Sequence, residues 1–256
     1  MDTSLLLHQF FAPVEPVIFD KEIMDYEKLK YVMILLDQMD NVLPHNSYII
    51  DYYRKNFLFI SKKSIFLCGY SEKEVLEMGY EFYAQILTPE NLKKLIEINK
   101  VGFDFFYKIP FEKKLDFTIS YDLVLQRKDG TSFCANHKLK PFLFTKDDNI
   151  WLSVCCLSPS PNMKMGNVRV FLKNTNERYA YSLEDKKWHR LPPIILSEAE
   201  KFIISETDKG SPEKALAAEL GCSLSNIHYY KGMIMKKTGT KTMREAILFL
   251  HSNGII

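Results

Sequence analysis

A three-residue corner, Gly221-Cys222-Ser223, divides two short helix-forming runs near the end of the chain, and a corner that tight leaves few ways to fold what surrounds it. Pro212 opens the run PEKALAAEL, because proline is tolerated in the first turn of a helix, and Gly221 ends it. Ser223 is placed to cap the next run, LSNIHYYKGMIMKKT, which stops near Gly239. Upstream, Ser197 followed three residues later by Glu200 is a capping box that opens a first helix, closed at Gly210. Thr242 then caps a fourth, MREAILFLH. Leu216 and Leu220 on the second run, and Ile227, Tyr230 and Ile234 on the third, recur at helical spacing and predict inward faces. The expectation is an all-α unit of four short helices.

Charge is divided unevenly across that unit. From Ser223 onward the only acidic residue is Glu245, whereas Glu198, Glu200, Glu206, Asp208, Glu213 and Glu219 fall on the first two helices. Opposite the apolar stripe, the third helix and its extension carry His228, Tyr229, Lys231, Lys236, Lys237, Lys241 and Arg244. A net charge of +2 over 256 residues gives no global attraction to nucleic acid, so this local polarity carries the signal. Neutralised phosphates release counterions, and that favours binding at low salt.

The segment resembles the LuxR-type helix-turn-helix domain of bacterial regulators. L-S-E-x-E-K at 196–201, K-x-x-A-x-E-L-G-x-S at 214–223, the run from Ile227 through Lys236, Lys237 and Gly239, and R-E-A-I at 244–247 carry the resemblance. It implies that the third helix enters the major groove of duplex DNA and that the fourth supports a homodimer. By position, Asn226, His228, Tyr229 and Gly232 fall where such domains present DNA-contacting side chains. Lys231, Lys236 and Lys237 are candidate phosphate ligands, and Lys214 and Ser225 complete the expected DNA-binding set. Three positions depart from the pattern: Gly232 has no side chain, His228 stands where lysine is frequent, and Glu213 where asparagine is usual.

The middle of the chain has a different rhythm. SYIIDYY and NFLFIS alternate as short strands around a charged turn at Arg54 and Lys55. A short helix ends at Gly69, and Ser71 with Glu74 makes a second capping box. Thr88 and Pro89 then start a longer helix. LDFTISYDLVLQR places Phe117, Ile119, Tyr121, Leu123 and Leu125 on one face, a turn at Asp129-Gly130 leads into TSFCANHKLKPFLF, and IWLSVCCL follows. Two strands, clustered helices, then three antiparallel strands is an α+β order. With G-Y-S-x-x-E at 69–74 and R-K-D-G at 127–130, it resembles the PAS domain, which implies a sensory or dimerisation module.

Residues 22–40 are predicted to form an amphipathic helix through Ile23, Tyr26, Leu29, Val32 or Met33, Leu36 and Met39, facing either the next domain or a second copy. The expected organisation is an extension over 1–46, a PAS-like domain over 47–158, a linker with a β-hairpin over 159–195, and the helix-turn-helix domain over 196–256. The fold class is therefore α+β, with a PAS-like antiparallel sheet and flanking helices, followed by an all-α four-helix domain. Five scattered cysteines (68, 134, 155, 156, 222) have no C-x-x-C spacing, so neither a zinc site nor a disulfide framework is indicated. No leader and no membrane-length apolar run is seen, and a cytoplasmic protein is expected. His137 reads as a hydrogen-bonded structural histidine rather than a metal or haem ligand. Phe57, Phe59, Phe66, Phe82, Tyr83, Phe105 and Tyr121 read as core, with a small-molecule pocket as the alternative. No nucleophile–base set, P-loop or metal box is present, so neither an enzyme nor a cofactor is expected. The reading is a DNA-binding transcription regulator. The alternative is a PAS-like ligand-sensing or protein-interaction module that does not read DNA sequence.

Overall fold

The computed structural model describes residues 9–10, 25–42, 46–160, 162–252 and 255–256, and Ile23 of the expected first helix lies outside them. The chain forms two compact units. One runs to Leu172 and resumes over Tyr179–Arg190, and the other comprises Lys173–Arg178 and Leu191–Ile256.

In the first unit a helix, α1 (Tyr26–Val42), precedes strands β1 (Ser47–Asp51) and β2 (Asn56–Ile60). Four helices follow: α2 (Glu72–Met78), α3 (Phe82–Ile86), α4 (Pro89–Lys108) and α5 (Phe111–Lys114). Strands β3 (Phe117–Gln126), β4 (Ser132–Phe144) and β5 (Ile150–Pro159) complete the expected PAS-like α+β order. The caps read from the sequence are formed. Ser71 and Glu74 bond reciprocally at the start of α2, and the Thr88 hydroxyl accepts from the Asn91 N–H. The short helices α3 and α5 were not anticipated, having too few residues to show a period.

The sheet holds eight strands in the order β2-β1-β5-β4-β3-β6-β7-β8, with β6 (Gly166–Leu172), β7 (Glu177–Ser182) and β8 (Lys187–Leu191). The hairpin expected in the linker is therefore present, but its first strand pairs antiparallel with β3, from Phe117 opposite Leu172 to Asp122 opposite Gly166. Val168, Val170 and Leu172 enter the same core as Phe117, Ile119, Leu123 and Leu125. Asp122, buried in β3, fastens this edge: its carboxylate accepts from the amides of Asn136 at 2.9 Å and Asn167 at 3.0 Å, and also from Asn162. A buried carboxylate is tolerated when its lone pairs are filled in this way.

Helix α1 lays Tyr26, Leu29, Met33 and Leu36 on Ile49, Phe59 and Trp151. The Tyr26 hydroxyl donates to Asp51 at 2.6 Å, and the Arg54 guanidinium lies over the Tyr26 ring. The outer face of the same helix is also apolar: Tyr31 is 78% exposed, Leu35 60% and Val42 78%. Of the alternatives Val32 and Met33, Met33 packs inward and Val32 is exposed, and Met39, read as inward, lies among the exposed residues. The sequence pattern thus contained two apolar stripes.

The second unit is built from α6 (Glu198–Asp208), α7 (Glu213–Glu219), α8 (Leu224–Thr238) and α9 (Met243–Ser252) around Ile203, Leu216, Ile227, Ile234, Ile247 and Leu250. Four short helices packed on one another are the all-α domain expected.

Candidate nucleic-acid interface

The corner between α7 and α8 is built by backbone bonds that only a left-handed residue permits. Gly221 has φ +60°, which lets the Cys222 N–H reach the Ala217 carbonyl at 2.9 Å while its own N–H bonds Ala218. No atom lies within 4 Å of where a Cβ would sit, so glycine is required here for conformation and not for space. Ser223 then caps α8 through Asn226. At its far end Gly239, φ +69°, repeats the device, with the Thr240 N–H on the Met235 carbonyl. The length and direction of α8 are thus fixed at both ends.

Ile227 and Ile234 are fully buried, which turns the stripe Ser225, His228, Tyr229, Gly232 and Lys236 outward, three or four residues apart. Tyr229 is 64% exposed, and nothing lies within 4 Å of a Cβ at Gly232. Asn226 on the same helix and Lys214 on α7 are exposed. Among the described residues, no ion pair involves Lys214, Lys236, Lys241 or Arg244, so four cations remain available.

Two of the anticipated phosphate ligands are engaged elsewhere. Lys237 donates to both oxygens of Glu200, at 2.7 Å to one of them, and at 2.8 Å to the carbonyl of Ile195. Glu200 is the buried capping-box residue of α6, so this contact fastens α8 to α6. Burial pushes the Glu200 carboxyl up, but bonds from Lys237 and the Ser197 backbone outweigh it and hold it below the usual carboxylate range. Lys231 lies on the other flank of α8, 2.7 Å from Glu213 of α7, and His228 Nε2 is also 2.7 Å from that carboxylate. Lys231 first, then His228, hold Glu213 below its ordinary range. In the sequence Glu213 stands out as a departure and Glu200 as a cap, and both count among the acids of the first two helices, but neither is paired there with a lysine. Lysines one residue off the outward stripe were the available clue to both pairings.

In the sheet unit, His137 is buried, and its Nε2 is 2.7 Å from the hydroxyl of Tyr48, which also bonds the Tyr83 hydroxyl at 2.8 Å. Burial lowers the His137 pKa to about 3 and leaves a neutral, hydrogen-bonded ring. Cys68 follows a 3-10 turn, and burial pushes its thiol up to about 12, away from thiolate chemistry. Of the aromatic residues considered for a pocket, Phe57, Phe66, Phe82 and Tyr83 are core. Tyr121 borders a cavity of about 30 Å³ together with Tyr52, Asn99, Gly102 and Phe103.

Residues 194–250 match the family described as bacterial regulatory proteins, luxR family, and form its helix-turn-helix domain. No curated protein matches the chain. Similar solved structures include the Vibrio cholerae VqmA dimer in the absence of target DNA, at 12% identity over 88% of each chain and a TM-score of 0.34. A light-oxygen-voltage domain is 20% identical over 54% of this chain and 88% of its own, with a TM-score of 0.37. The PAS domain of an HTR-like protein from Haloarcula marismortui is 13% identical over 53% of this chain and 97% of its own, with a TM-score of 0.33. Among the described residues no helix is long and apolar enough to cross a membrane, and no group of three or more His, Cys, Asp or Glu is placed to hold a metal.

Proposed function

We propose that this chain, with its luxR-family helix-turn-helix domain, is a cytoplasmic homodimeric transcription regulator. Helix α8 reads duplex DNA in the major groove, and the PAS-like unit supplies dimer contacts and signal input. The observation that carries the reading is the outward stripe Ser225, His228, Tyr229, Gly232 and Lys236 of α8, which follows a glycine corner, in a unit that also exposes Lys214, Lys241 and Arg244. Base edges meet the stripe and phosphates meet the cations, the division of labour that DNA recognition needs. A two-fold dimer places two such helices about 34 Å apart on a pseudo-palindromic site.

The test is fluorescence anisotropy of the full chain on duplexes selected from a random pool. Affinity is expected to fall log-linearly with salt, by about 0.9 per phosphate contacted. Replacing Lys214 and Lys241 together by alanine is expected to flatten that slope by about two. Failure to bind any duplex at low salt defeats the regulator reading and leaves an interaction module.

The exposed face of α1 is the dimer seat in this proposal. Lys28, Tyr31, Leu35, Gln38 and Val42 follow a 3-4-3-4 spacing, with Ile34 beside them, which is the seam of a two-helix contact between copies. Sedimentation is expected to show a dimer for the full chain. Leu35→Asp is expected to weaken it at least tenfold while the far-ultraviolet circular dichroism of the folded chain stays unchanged, since burying a lone carboxylate in such a seam is costly. A dimer equally stable in that variant excludes this seat. For the signal, the cavity beside Tyr52, Asn99 and Tyr121 has no charged wall among its lining residues, but at about 30 Å³ it has room for about one water, so a small neutral molecule enters only as its walls yield.

A further inference from the structure

Glu213 stands where an anion is least expected on a DNA-binding face. It opens α7 and reaches across to α8, with one carboxylate oxygen 2.7 Å from Lys231 Nζ and the other 2.7 Å from His228 Nε2. The Lys231 side chain is mostly buried by this contact, at 16% exposure, whereas His228 stays open at 63%. A carboxylate in this place does what a DNA phosphate does: it accepts charge-assisted bonds from the flank of the helix.

We propose that Glu213 is a specificity-determining residue that substitutes for a phosphate. It occupies Lys231 and His228, so that neither adds sequence-independent affinity for the DNA backbone. The inference rests on the DNA-binding reading of this face. Phosphate contacts supply nearly all non-specific binding and its salt dependence. Withholding one of them, and setting a negative charge where another phosphate would approach, weakens most the mode in which a duplex is held by its backbone alone, and weakens less the mode that seats the stripe on base edges. Discrimination then depends on what Ser225, Tyr229 and the open backbone at Gly232 meet in the groove. Lysine or asparagine at position 213 would leave Lys231 available to the backbone. Glutamate does not.

Glu213→Gln tests this in the full chain, with anisotropy on a duplex enriched from a random pool and on a scrambled duplex of equal length. The variant is expected to bind the scrambled duplex about threefold or more tightly, and to steepen the salt slope by about one contact. The ratio of specific to scrambled affinity is expected to fall. Lys231→Ala gives an independent reading: with the lysine already withheld by Glu213, its salt slope is expected to match wild type. A shallower slope in Lys231→Ala shows that the lysine meets phosphate in the native complex and overturns the proposal. Equal slopes and ratios for Glu213→Gln and wild type overturn it alone. Absence of duplex binding in all three proteins overturns the DNA-binding reading with it.

Discussion

Lys237→Ala is expected to destabilise the C-terminal helical unit by about 2–3 kcal/mol, whereas Lys236→Ala, one residue earlier, is expected to leave stability unchanged and weaken DNA binding. The two lysines are alike in sequence and differ in what they face. Ile227 and Ile234 define the buried side of α8, and a step of one residue, 100° of rotation, carries Lys237 off the outward stripe toward α6. There it meets Glu200, itself only 3% exposed, and the carbonyl of Ile195. Removing one member of a buried pair strands the other charge, at about 3–5 kcal/mol when both are fully buried. Lys237 keeps 29% side-chain exposure, so solvent screening lowers the figure. For a unit of this size the loss corresponds to a fall of about 10–20 °C in melting temperature.

The measurement is a circular-dichroism melt of the full chain beside tryptophan fluorescence. Both tryptophans, Trp151 and Trp188, lie in the sheet unit and report on it separately. Glu200→Gln introduced into Lys237→Ala is expected to recover most of the loss, because glutamine still completes the capping box while the stranded charge is gone. The pair also has a pH signature. The Glu200 carboxyl is held below its unfolded value, so its contribution is full above about pH 4.5 and is lost as pH falls through the folded value. A Lys237→Ala protein that melts like wild type but loses the salt slope would return this residue to the phosphate-binding set.

The helical unit was legible in the sequence because its information is local. Caps at Ser197, Ser223 and Thr242 and stops at Gly221 and Gly239 act within a few residues of themselves, and they set five of the eight helix ends. What was not legible depends on distant partners. Glu213 and Lys231 are eighteen residues apart, and Glu200 and Lys237 thirty-seven, so no spacing rule joins them. The same holds for β6. Its alternation marks a strand, but which sheet edge it takes is decided by the register against β3 and by three asparagines converging on Asp122. The two apolar stripes of α1 illustrate a third limit. A 17-residue helix can satisfy a period twice, and only packing distinguishes the stripe that covers Trp151 from the one left in solvent.

Acidification from pH 6.5 to 5 is expected to destabilise the sheet unit, and His137 is the residue that makes it so. The ring is fully enclosed, packed against Tyr121 at 4.7 Å between centroids, and bonded through Nε2 to Tyr48. Among the described residues its Nδ1 has no partner, so an imidazolium would put an unsatisfied, charged N–H in the core. Burial accordingly lowers the folded pKa to about 3, while an unfolded chain takes up the proton near 6.5. Above pH 6.5 neither state binds it, and this site gives no pH dependence. Below 6.5 the unfolded state gains protons that the folded state refuses, so stability falls by about 1.4 kcal/mol per pH unit until the folded value is reached. Carboxylates held low in the same unit, such as Glu74 at about 2, act in the same direction but only below about pH 4.5, which leaves a window belonging to the histidine. Urea titrations followed by tryptophan fluorescence at pH 7.5, 6.0 and 5.0 measure the slope. His137→Gln, which keeps a partner for Tyr48 but cannot take up a proton, is expected to flatten it, even if the variant is less stable at every pH. A slope unchanged by that substitution would assign the acid sensitivity to another group and leave the enclosed ring a packing element alone.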